Sequence, residues 1–360
     1  WRVRGPWLKP GTAPPRRALA PRGMPGALAL LLLAAPAAGL RGLEDAWALL
    51  QAGAQAQTGR AGRGGLVYHL HIPRTGGTSF LNDARNILDP SDVVSREGCF
   101  SWRDELPQVR RVAFLLRSPW EHVLSQYLYC SEGPISWMTQ TPRPRKFGEW
   151  VGEWAEQQAQ GKIVGDFSKD HNAELELAFQ RYVTFTSLPF HCYSPANLQT
   201  QHLTCQRPFK YPAEPDVELA ITNMQESWFV GLVEAYQESL CLFHVKALGR
   251  LPGFCDCTNA TGWASFRQSH TSYHRNATRT SRDISDQPKE ALEALESLTR
   301  ADRMLYKAAV QRFVFEVHEA EERFRTKILC DETLYLRSRL RDPMRKHFAV
   351  FVNAARQQLR

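Results

Sequence analysis

The stretch Leu66-Val-Tyr-His-Leu-His-Ile72, followed at once by Pro73-Arg-Thr-Gly-Gly-Thr-Ser79, decides the fold predicted for this chain of 360 residues. An apolar run of strand length leads directly into a tight turn with two glycines, and residues 78–88 continue in a helical pattern. A strand, a glycine loop and a helix in this order form an anion-binding cradle in α/β proteins, because backbone N–H groups and the positive end of the helix converge there. The stretch therefore predicts an α/β fold with a site for phosphate-like oxygens.

The candidate anion-binding residues are those of the loop itself. Its two glycines let the backbone approach an anion closely, its arginine adds positive charge, and its hydroxyl groups add hydrogen-bond donors. These residues are Pro73, Arg74, Thr75, Gly76, Gly77, Thr78 and Ser79. The loop is not a Walker A motif, because no lysine follows the second glycine, so an ordinary ATPase or GTPase is disfavoured.

Two further apolar runs, Val112–Leu116 and Trp228–Val233, predict two more strands. Continuous apolar runs of this kind are typical of parallel strands that are buried on both faces. Residues 288–325 carry apolar side chains at helical spacing, so a helical segment is predicted after the last strand. One α/β domain with a parallel sheet is the simplest architecture that accommodates these segments.

A second candidate site follows the second predicted strand, in the run Arg117-Ser-Pro-Trp-Glu-His-Val-Leu-Ser-Gln-Tyr127. Ser118 and Glu121 have the spacing of a capping box, and Pro119 occupies the first helical position, so a helix is predicted to begin directly after the strand. An arginine at the end of a strand, beside a helix with a serine on its near face, could bind a second phosphate. Taken alone, the run is more typical of a capped helix with one surface arginine.

Together the two motifs resemble the donor site of Golgi-type carbohydrate sulfotransferases. The loop region His71-Ile-Pro-Arg-Thr-Gly-Gly-Thr-Ser-Phe80 is similar to the 5′-phosphosulfate loop of that family, with Arg74 where lysine is usual. The second motif is similar to the 3′-phosphate motif, in which Arg117 and Ser125 match the residues that hold the 3′-phosphate of the donor. His122 stands where a second arginine is common, which implies a weaker grip on that phosphate.

Three later segments also resemble membrane-associated carbohydrate sulfotransferases, the group that includes the heparan sulfate 2-O- and 6-O-enzymes. These segments are Asn197–Thr200, Phe229–Phe243 and Leu298–Tyr306, and the likeness spans about residues 66–315. The resemblance implies a P-loop-type fold, a three-layer α/β sandwich around a central parallel sheet. It also implies transfer of a sulfuryl group from 3′-phosphoadenosine 5′-phosphosulfate to a glycan hydroxyl by in-line displacement, with no metal.

The catalytic residues implied by the resemblance are Arg74 and a base that takes the proton of the acceptor hydroxyl. Related enzymes often place a histidine between the two donor motifs, whereas the corresponding stretch here, Ser95–Glu105, contains none. Glu97 is therefore the candidate base by position, and Asp104 or Glu105 are the alternatives, although a surface carboxylate is the commoner role for each. A general base contributes about 10²–10⁴ in rate.

Two histidines of the first predicted strand admit two interpretations. His69 and His71 lie on one face of that strand, so they could reach the candidate site or bind a metal ion, whereas a histidine buried in the sheet is the commoner case. Cys255 and Cys257 lack the spacing of zinc ligands, so no metal site is expected there.

The segment between residues 131 and 165 also admits two interpretations. Its side chains Phe147, Trp150, Val151 and Trp154 recur at helical spacing, so one face of a helix there is apolar. The favoured interpretation is a helix packed on the core. The alternative is a lid whose tryptophans stack on an acceptor sugar.

The first 61 residues are predicted to be a leader followed by a disordered stem. Met24 begins an Ala/Leu-rich run that extends to about residue 40, with basic residues before it and small residues after it, which is the layout of a secretory signal peptide. The run is short for a spanning helix of about 20 residues, and a short membrane anchor is the alternative. The predicted sulfotransferase domain covers residues 62–330, and a C-terminal helical extension covers residues 331–360.

The cysteines and glycosylation motifs favour the secretory pathway, with the Golgi lumen as the expected location. Eight cysteines behind a predicted leader indicate disulfides, and Cys192–Cys205 is the preferred pair. Asn259-Ala-Thr261 and Asn276-Ala-Thr278 are N-glycosylation sequons.

The charge of the chain argues against a nucleic-acid partner. The net charge is +8, but six basic residues lie in the first 23 positions, which hold no acidic residue, so the remainder carries +2. A large basic surface is not implied. The expected partner is a glycan, or another hydroxyl acceptor such as tyrosine or a small alcohol.

Two other functions stay open. One is a homologue that binds nucleotide or glycan without catalysis, because the histidine between the motifs is missing and Gln201 stands where arginine is frequent in the family. The other is a nucleotide-dependent P-loop kinase, against which the missing Walker lysine speaks.

Overall fold

A computed structural model describes residues 65–106, 108–132, 146–160, 165–166, 193–205, 210–211, 215–266 and 284–330. The predicted leader and stem in residues 1–61 lie outside the described residues. The predicted C-terminal extension in residues 331–360 and the sequon at Asn276 also lie outside them.

The fold is built on a sheet of four parallel strands. The strands in chain order are β1 (Leu66–Leu70), β2 (Val93–Arg96), β3 (Val109–Leu116), β4 (Gly165–Asp166), β5 (Lys210–Tyr211) and β6 (Phe229–Leu232). The parallel sheet has the order β2-β1-β3-β6, and β4 and β5 form a separate antiparallel pair. The three strands predicted from apolar runs are confirmed as β1, β3 and β6, and with them the α/β class with a parallel sheet.

Strand β2 is absent from the sequence prediction. It has only four residues, Val93-Val-Ser-Arg96, and half of them are polar. This composition suits an edge position, because only Val93 of the strand is buried, whereas β1 is buried from Val67 onward. In the register with β1, His69 lies opposite Ser95. The pairing carries the chain after β2 to the same edge of the sheet as the loop after β1.

Helices connect and follow the strands. In chain order they are α1 (Gly77–Ile87), α2 (Pro119–Glu132), α3 (Phe147–Ala159), α4 (Leu198–Thr204), α5 (Val217–Glu226), α6 (Tyr236–Leu248), α7 (Ala260–Ala264), α8 (Lys289–Leu298) and α9 (Arg300–Phe324). The helices predicted after the glycine loop and after Arg117 are confirmed as α1 and α2. The helical segment predicted for residues 288–325 is confirmed as two helices, α8 and α9.

Aromatic rings join the sheet to the helices beside it. Phe80 of α1, Phe229 of β6 and Phe243 of α6 are fully buried, and their ring centroids lie 5.1 to 5.4 Å apart. Phe313 and Val317 of α9 belong to the same apolar cluster. Burial of one such large side chain contributes about 1.5–3 kcal/mol. The cluster therefore holds α1, which begins within the glycine loop, firmly against the sheet.

The tryptophans of α3 belong to a second apolar cluster. Trp150 and Trp154 are 1% and 0% exposed, and they lie in one cluster with Leu295 of α8. The interpretation of this segment as a helix packed on the core is confirmed. The alternative of tryptophan faces that stack on an acceptor sugar is wrong, because neither indole ring reaches the surface.

Three disulfides occur among the described residues: Cys99–Cys205, Cys241–Cys255 and Cys257–Cys330. The predicted pair Cys192–Cys205 is wrong, because Cys205 is bonded to Cys99, 106 residues earlier in the chain. Closeness in sequence was misleading here, since folding brings the end of α4 beside the end of β2. The disulfides fit a secretory or extracellular compartment.

Candidate functional site

The two predicted donor motifs lie at the same end of the parallel sheet, where the carboxyl ends of its strands meet. The glycine loop follows β1 and Arg117 follows β3, and these strands are neighbours. Strand β2 lies beyond β1 on one side and β6 lies beyond β3 on the other, so the chain leaves the two neighbouring strands in opposite directions. In open α/β sheets, ligands bind in the crevice at such a switch point, outside the carboxyl ends of the strands.

The backbone of the loop is shaped to present N–H groups. Arg74 has a left-handed backbone with φ 65°. Thr75 donates from its N–H and its hydroxyl to Ile72 O, at 3.4 and 2.9 Å, which closes the turn. The first intrahelical hydrogen bond of α1 is accepted by Gly76, so the N–H groups of residues 77–79 precede it. These groups and the positive helix end form the anion-facing part of the candidate site.

Arg74 and Ser125, which come from different motifs, are in direct contact. Arg74 Nε and Nη2 donate to Ser125 Oγ at 3.3 and 3.2 Å. Arg117 Nη1 donates to Arg74 O at 3.4 Å. The structure therefore brings together the three side chains that were predicted to bind the two phosphates.

The other predicted loop residues differ in exposure. Thr78 is exposed at the start of α1, whereas Ser79 and Thr75 are buried. Pro73 is also buried, and its carbonyl oxygen lies 2.7 Å from Nε2 of His122. Thr78 is thus the loop hydroxyl that is most accessible to a ligand, while the Thr75 hydroxyl closes the turn.

A stacked pair of tyrosines lies beside the Arg74 guanidinium. The Cζ atom lies 4.3 Å from the ring centroid of Tyr129, a cation–π arrangement, and the Tyr129 ring stacks on Tyr193 at 6.3 Å. Burial, followed by the charge of Arg117, lowers the pKa of Arg74 to about 10, so this side chain keeps its charge at neutral pH. Tyr129 is not among the residues predicted for the site, although its position one helical turn after Ser125 places both on one face of α2.

Arg117 is held by two other side chains. Gln199 Oε1 accepts from Arg117 N and Gln199 Nε2 donates to Arg117 O, both at 2.8 Å. Arg117 Nη2 lies 3.3 Å from Glu121 Oε2. The predicted capping box is replaced by another arrangement, because Ser118 N donates to Glu234 Oε1 at 2.8 Å while Glu121 pairs with Arg117. Helix α2 begins where predicted, but the N–H of Ser118, the residue before its first residue Pro119, donates to a distant carboxylate.

Residues of the three later segments, Asn197–Thr200, Phe229–Phe243 and Leu298–Tyr306, form buried and partly buried polar contacts behind the second motif. Asn197 Oδ1 accepts from the N–H of Asp302 at 3.1 Å, and Asp302 Oδ1 accepts from Thr200 N and Oγ1, both at 2.7 Å. Tyr306 Oη donates to Glu234 Oε2 at 2.7 Å. These contacts link α4, α9 and the end of β6 to the residues that hold Arg117 in place.

Strand β2 brings the candidate base beside β1. Glu97 Oε1 lies 3.5 Å from His71 Nδ1, and His69 Nδ1 lies 2.9 Å from Ser95 Oγ. Burial, followed by the charge of Arg74, lowers the pKa of His71 to about 4. The His71 ring is therefore neutral at neutral pH, and its contact with Glu97 is a polar contact rather than an ion pair.

One of the two strand histidines, His69, is buried in the sheet, and the other, His71, lies beside the glycine loop. His69 is 1% exposed, and its ring centroid lies 5.0 Å from that of Phe80, so it is a histidine buried against the sheet. The His71 ring lies over the start of α1, where a Cβ at Gly77 would collide with it. Residue 77 must therefore be glycine to leave room for the His71 ring. No pattern in the neighbouring sequence indicates this requirement.

The alternative acids lie elsewhere. Asp104 and Glu105 are exposed at the end of a short 3₁₀ helix, and Asp104 lies 3.5 Å from Arg103 Nε. Asp104 lines a cavity together with Val109, the first residue of β3. The candidate site is at the opposite end of that strand, whose eight residues span roughly 25 Å. Of the three candidate bases, Glu97 is thus the one that the fold brings to the end of the sheet where the loop lies.

Compared with known proteins, the chain matches no family model and no curated sequence. Within the described ranges, no group of three or more His, Cys, Asp or Glu side chains could hold a metal ion. In the same part of the chain, no helix is both long and apolar enough to cross a membrane. The predicted anchor near residues 24–40 lies outside that part.

Proposed function

We propose that the protein is a sulfotransferase that moves a sulfuryl group from 3′-phosphoadenosine 5′-phosphosulfate to a hydroxyl of a glycan. The contact between the two donor motifs carries the proposal: Arg74 Nη2 lies 3.2 Å from Ser125 Oγ, and Arg117 Nη1 lies 3.4 Å from Arg74 O. The donor has phosphates on the 3′ and 5′ carbons of one ribose, so its two phosphate sites must be neighbours. A glycine loop and a strand-end arginine in contact at a switch point meet that requirement.

The transfer is an in-line displacement at sulfur. The acceptor oxygen forms a bond to sulfur while the bond from sulfur to the bridging phosphate oxygen breaks, and adenosine 3′,5′-bisphosphate leaves with the electron pair. Negative charge grows on the bridging oxygen. The N–H groups of residues 77–79 and the charged Arg74 are donors already oriented for that charge. Contacts at both ends of the donor limit its motion before transfer.

Glu97 is the proposed base for the acceptor hydroxyl. It follows β2 at the same edge of the sheet as the loop, it is partly exposed, and it lies beside the neutral His71 ring. A carboxylate in this position can accept the proton that the hydroxyl loses as it attacks. Glu97 would then replace the histidine that related enzymes often place between the two motifs.

We also propose how the layers of the fold are arranged and in which cellular compartment the protein acts. A glycine loop between a parallel strand and a helix supports a P-loop-type three-layer sandwich. The disulfides support passage through the secretory pathway, and we propose the Golgi lumen as the site of action. For residues 24–40 we propose a secretory signal peptide, and anchoring of the protein to a membrane through this apolar segment is the alternative.

A nucleotide-binding homologue without catalysis is the second candidate function. It is favoured by the pairing of Arg117 with Glu121 and by His122 at the position of a second arginine. Both features reduce the positive charge available to the donor. Such a protein would bind adenosine 3′,5′-bisphosphate and fail to transfer sulfate.

Calorimetric titration of the full chain with adenosine 3′,5′-bisphosphate, and separately with ATP and Mg²⁺, tests the donor site. We expect the bisphosphate to bind more tightly than ATP, and Arg74→Ala and Arg117→Ala each to weaken its binding by about tenfold or more, since a charged hydrogen bond contributes about 1.5–3 kcal/mol. Arg110→Ala is the matched control, because Arg110 is exposed near the start of β3, at the other end of the strand from Arg117.

Each outcome of the titration decides between the candidates. No binding of the bisphosphate would overturn the donor site, and a preference for ATP would favour a kinase. Binding without transfer of labelled sulfate to a panel of desulfated polysaccharides and tyrosine peptides would favour the homologue without catalysis.

A further inference from the structure

Three consecutive carbonyl groups of the loop are bound by protein donors, those of Ile72, Pro73 and Arg74. The shortest of the three contacts joins Pro73 O to His122 Nε2, at 2.7 Å. A carbonyl oxygen repels an anion. A loop whose carbonyls are engaged, and whose N–H groups lie at a helix start, is therefore suited to bind one.

The contact with Pro73 assigns the proton of His122. A carbonyl oxygen can only accept, so Nε2 carries the hydrogen and donates it. Nδ1 then has the lone pair, and it lies 3.3 Å from Nε2 of Gln126, an amide nitrogen that can only donate. The same amide nitrogen lies 3.2 Å from Nε2 of the ring, but that atom already carries a hydrogen, so the bond is to Nδ1. Both ring nitrogens of a neutral imidazole are thus bound within the protein.

The surroundings of His122 oppose a positive charge on its ring. Burial is the largest cause and brings the pKa of His122 to about 3, although the hydrogen bond to Pro73 acts in the opposite direction. Arg117 at the end of β3, His202 of α4 and Arg74 of the loop act in the same direction as burial. The ring is therefore neutral at any pH near neutrality.

We infer that His122 is a positioning residue of the donor site: as a neutral imidazole it holds the Pro73 carbonyl and so maintains the left-handed backbone of Arg74. The inference rests on the proposed function, because the loop is the part of the proposed donor site that it organises. A φ of 65° at Arg74 is unfavourable for a residue with a side chain, so neighbouring bonds must maintain it. His122 stands where the family that this chain resembles often has a second arginine. In this proposal His122 orients the loop backbone, and Arg74 and Arg117 bind the phosphates.

Two substitutions of similar polarity separate a positioning role from a charged one. In His122→Gln the terminal amide nitrogen reaches the place of Nε2 and can donate to Pro73 O, whereas in His122→Asn it ends near the place of Nδ1 and cannot. With adenosine 3′,5′-bisphosphate as the probe, in calorimetry on the full chain, we expect His122→Gln to bind within about threefold of the wild type. We expect His122→Asn to bind at least about tenfold more weakly.

The pH dependence of the wild-type and His122→Gln affinities further distinguishes a positioning role of His122 from a role as a charged ligand. We expect the ratio of wild-type to His122→Gln affinity to stay constant between about pH 8 and about pH 5.5, a range that includes the usual histidine pKa of about 6.5. The ratio is measured because the phosphates of the probe titrate near about pH 6 and affect both proteins alike. A ratio that rises as the pH falls would make His122 a charged phosphate ligand and overturn the inference. Equal losses in the folded Gln and Asn variants would overturn it as well.

Nitrogen NMR of the His122 ring in the wild type needs no substitution, so it decides the matter even where a variant does not fold. We expect a hydrogen on Nε2 and none on Nδ1 down to about pH 5, below the usual histidine pKa of about 6.5. A charged ring near about pH 6 would contradict the inference. If the wild type binds no bisphosphate at any pH, the proposed function fails, while the ring measurement still decides whether His122 holds the loop.

Discussion

Arg74 Nη2 lies 3.2 Å from Ser125 Oγ, although the two residues are 51 positions apart in the chain. Arg74 belongs to the loop after β1 and Ser125 to the helix after β3, so the contact joins the ends of two neighbouring strands. Ser125 is buried, and the guanidinium also lies against Tyr129. The chain's own packing thus brings the two predicted donor motifs to one place, as is usual for ligand sites that are largely pre-formed.

Removal of the Ser125 hydroxyl is expected to weaken donor binding. Ser125→Ala takes away the acceptor of two Arg74 hydrogen bonds and a donor for the 3′-phosphate, so the affinity for adenosine 3′,5′-bisphosphate should fall about five- to tenfold. Ser227→Ala is the control, because this serine is also buried and donates to Asn223 O at 2.7 Å, at the other end of the sheet. Calorimetry measures both, and an unchanged affinity in Ser125→Ala would contradict the assignment.

Neutralisation of Glu121 is expected to strengthen donor binding. The carboxylate lies 3.3 Å from Arg117 Nη2 and competes with a phosphate for that guanidinium. Glu121→Gln should raise the affinity for adenosine 3′,5′-bisphosphate about three- to fivefold, on the order of 1 kcal/mol, because the pair is partly solvated. Glu153→Gln, an exposed acid on α3, serves as the reference for a change of net charge alone. A weaker affinity would mean that Glu121 orients Arg117 rather than competing for it.

Gln199 is expected to contribute to the stability of the fold. Its side chain satisfies the N–H and the carbonyl group of Arg117, and Gln199→Ala would leave both without that partner. We expect the free energy of unfolding in urea to fall by about 2–3 kcal/mol, since an unsatisfied buried polar group costs about 1–3 kcal/mol. Gln160→Ala is the control, because Gln160 is exposed at the C-cap of α3 and its side chain donates to Glu156 Oε1. Equal stability of the two variants would show that the Arg117 backbone finds other partners.

Asp302 is expected to make stability depend on pH. Burial raises the pKa of Asp302 from 3.8 to about 6, against hydrogen bonds from Thr200 and Gln199 that act in the opposite direction. The folded protein therefore holds this proton more tightly than the unfolded chain, so the stability it contributes is present below about pH 4 and lost as the pH rises through about 6. Two pKa units correspond to about 3 kcal/mol.

The pH effect is measured against Asp302→Asn, which cannot titrate at this position. We expect the free energy of unfolding of the wild type, relative to this variant, to fall by up to about 3 kcal/mol between about pH 4 and about pH 7. All other titrating groups cancel in the comparison. A relative stability that is constant, or that increases with pH, would mean that the carboxylate is better stabilised by its donors than burial allows.

Glu97 is expected to affect transfer and leave donor binding unchanged. With an acceptor found in the panel of polysaccharides and peptides, Glu97→Gln should lower kcat by about 10²–10⁴, because the hydroxyl proton loses its base. The affinity for adenosine 3′,5′-bisphosphate should stay within about twofold of the wild type, well inside the scale of one hydrogen bond. Asp104→Asn, which changes an exposed acid at the other end of β3, should alter neither quantity. Full activity in Glu97→Gln would remove Glu97 from the mechanism.

The candidate site is predictable from sequence only where its contacts are local. The glycine loop, the start of α1 and the helix after Arg117 follow from neighbouring residues, and all three occur where the pattern places them. Strand β2 cannot be predicted in this way, because it is a short edge strand, half of its four residues are polar, and it therefore contains no apolar run. The cap of α2 does not follow either, because Glu234, which accepts from Ser118 N, is 116 positions away.

By itself the sequence determined the three buried parallel strands and the helices that follow two of them, because apolar runs, glycines and helix-start residues act over a few neighbouring positions. Only the tertiary structure decided that Cys205 bonds to Cys99, that Glu97 lies beside His71 and that Gln199 holds Arg117. The disulfide and the Gln199 contact join residues 106 and 82 positions apart. Such contacts depend on the order of the strands and on how the helices bury their apolar faces, which no spacing within a short stretch of sequence specifies.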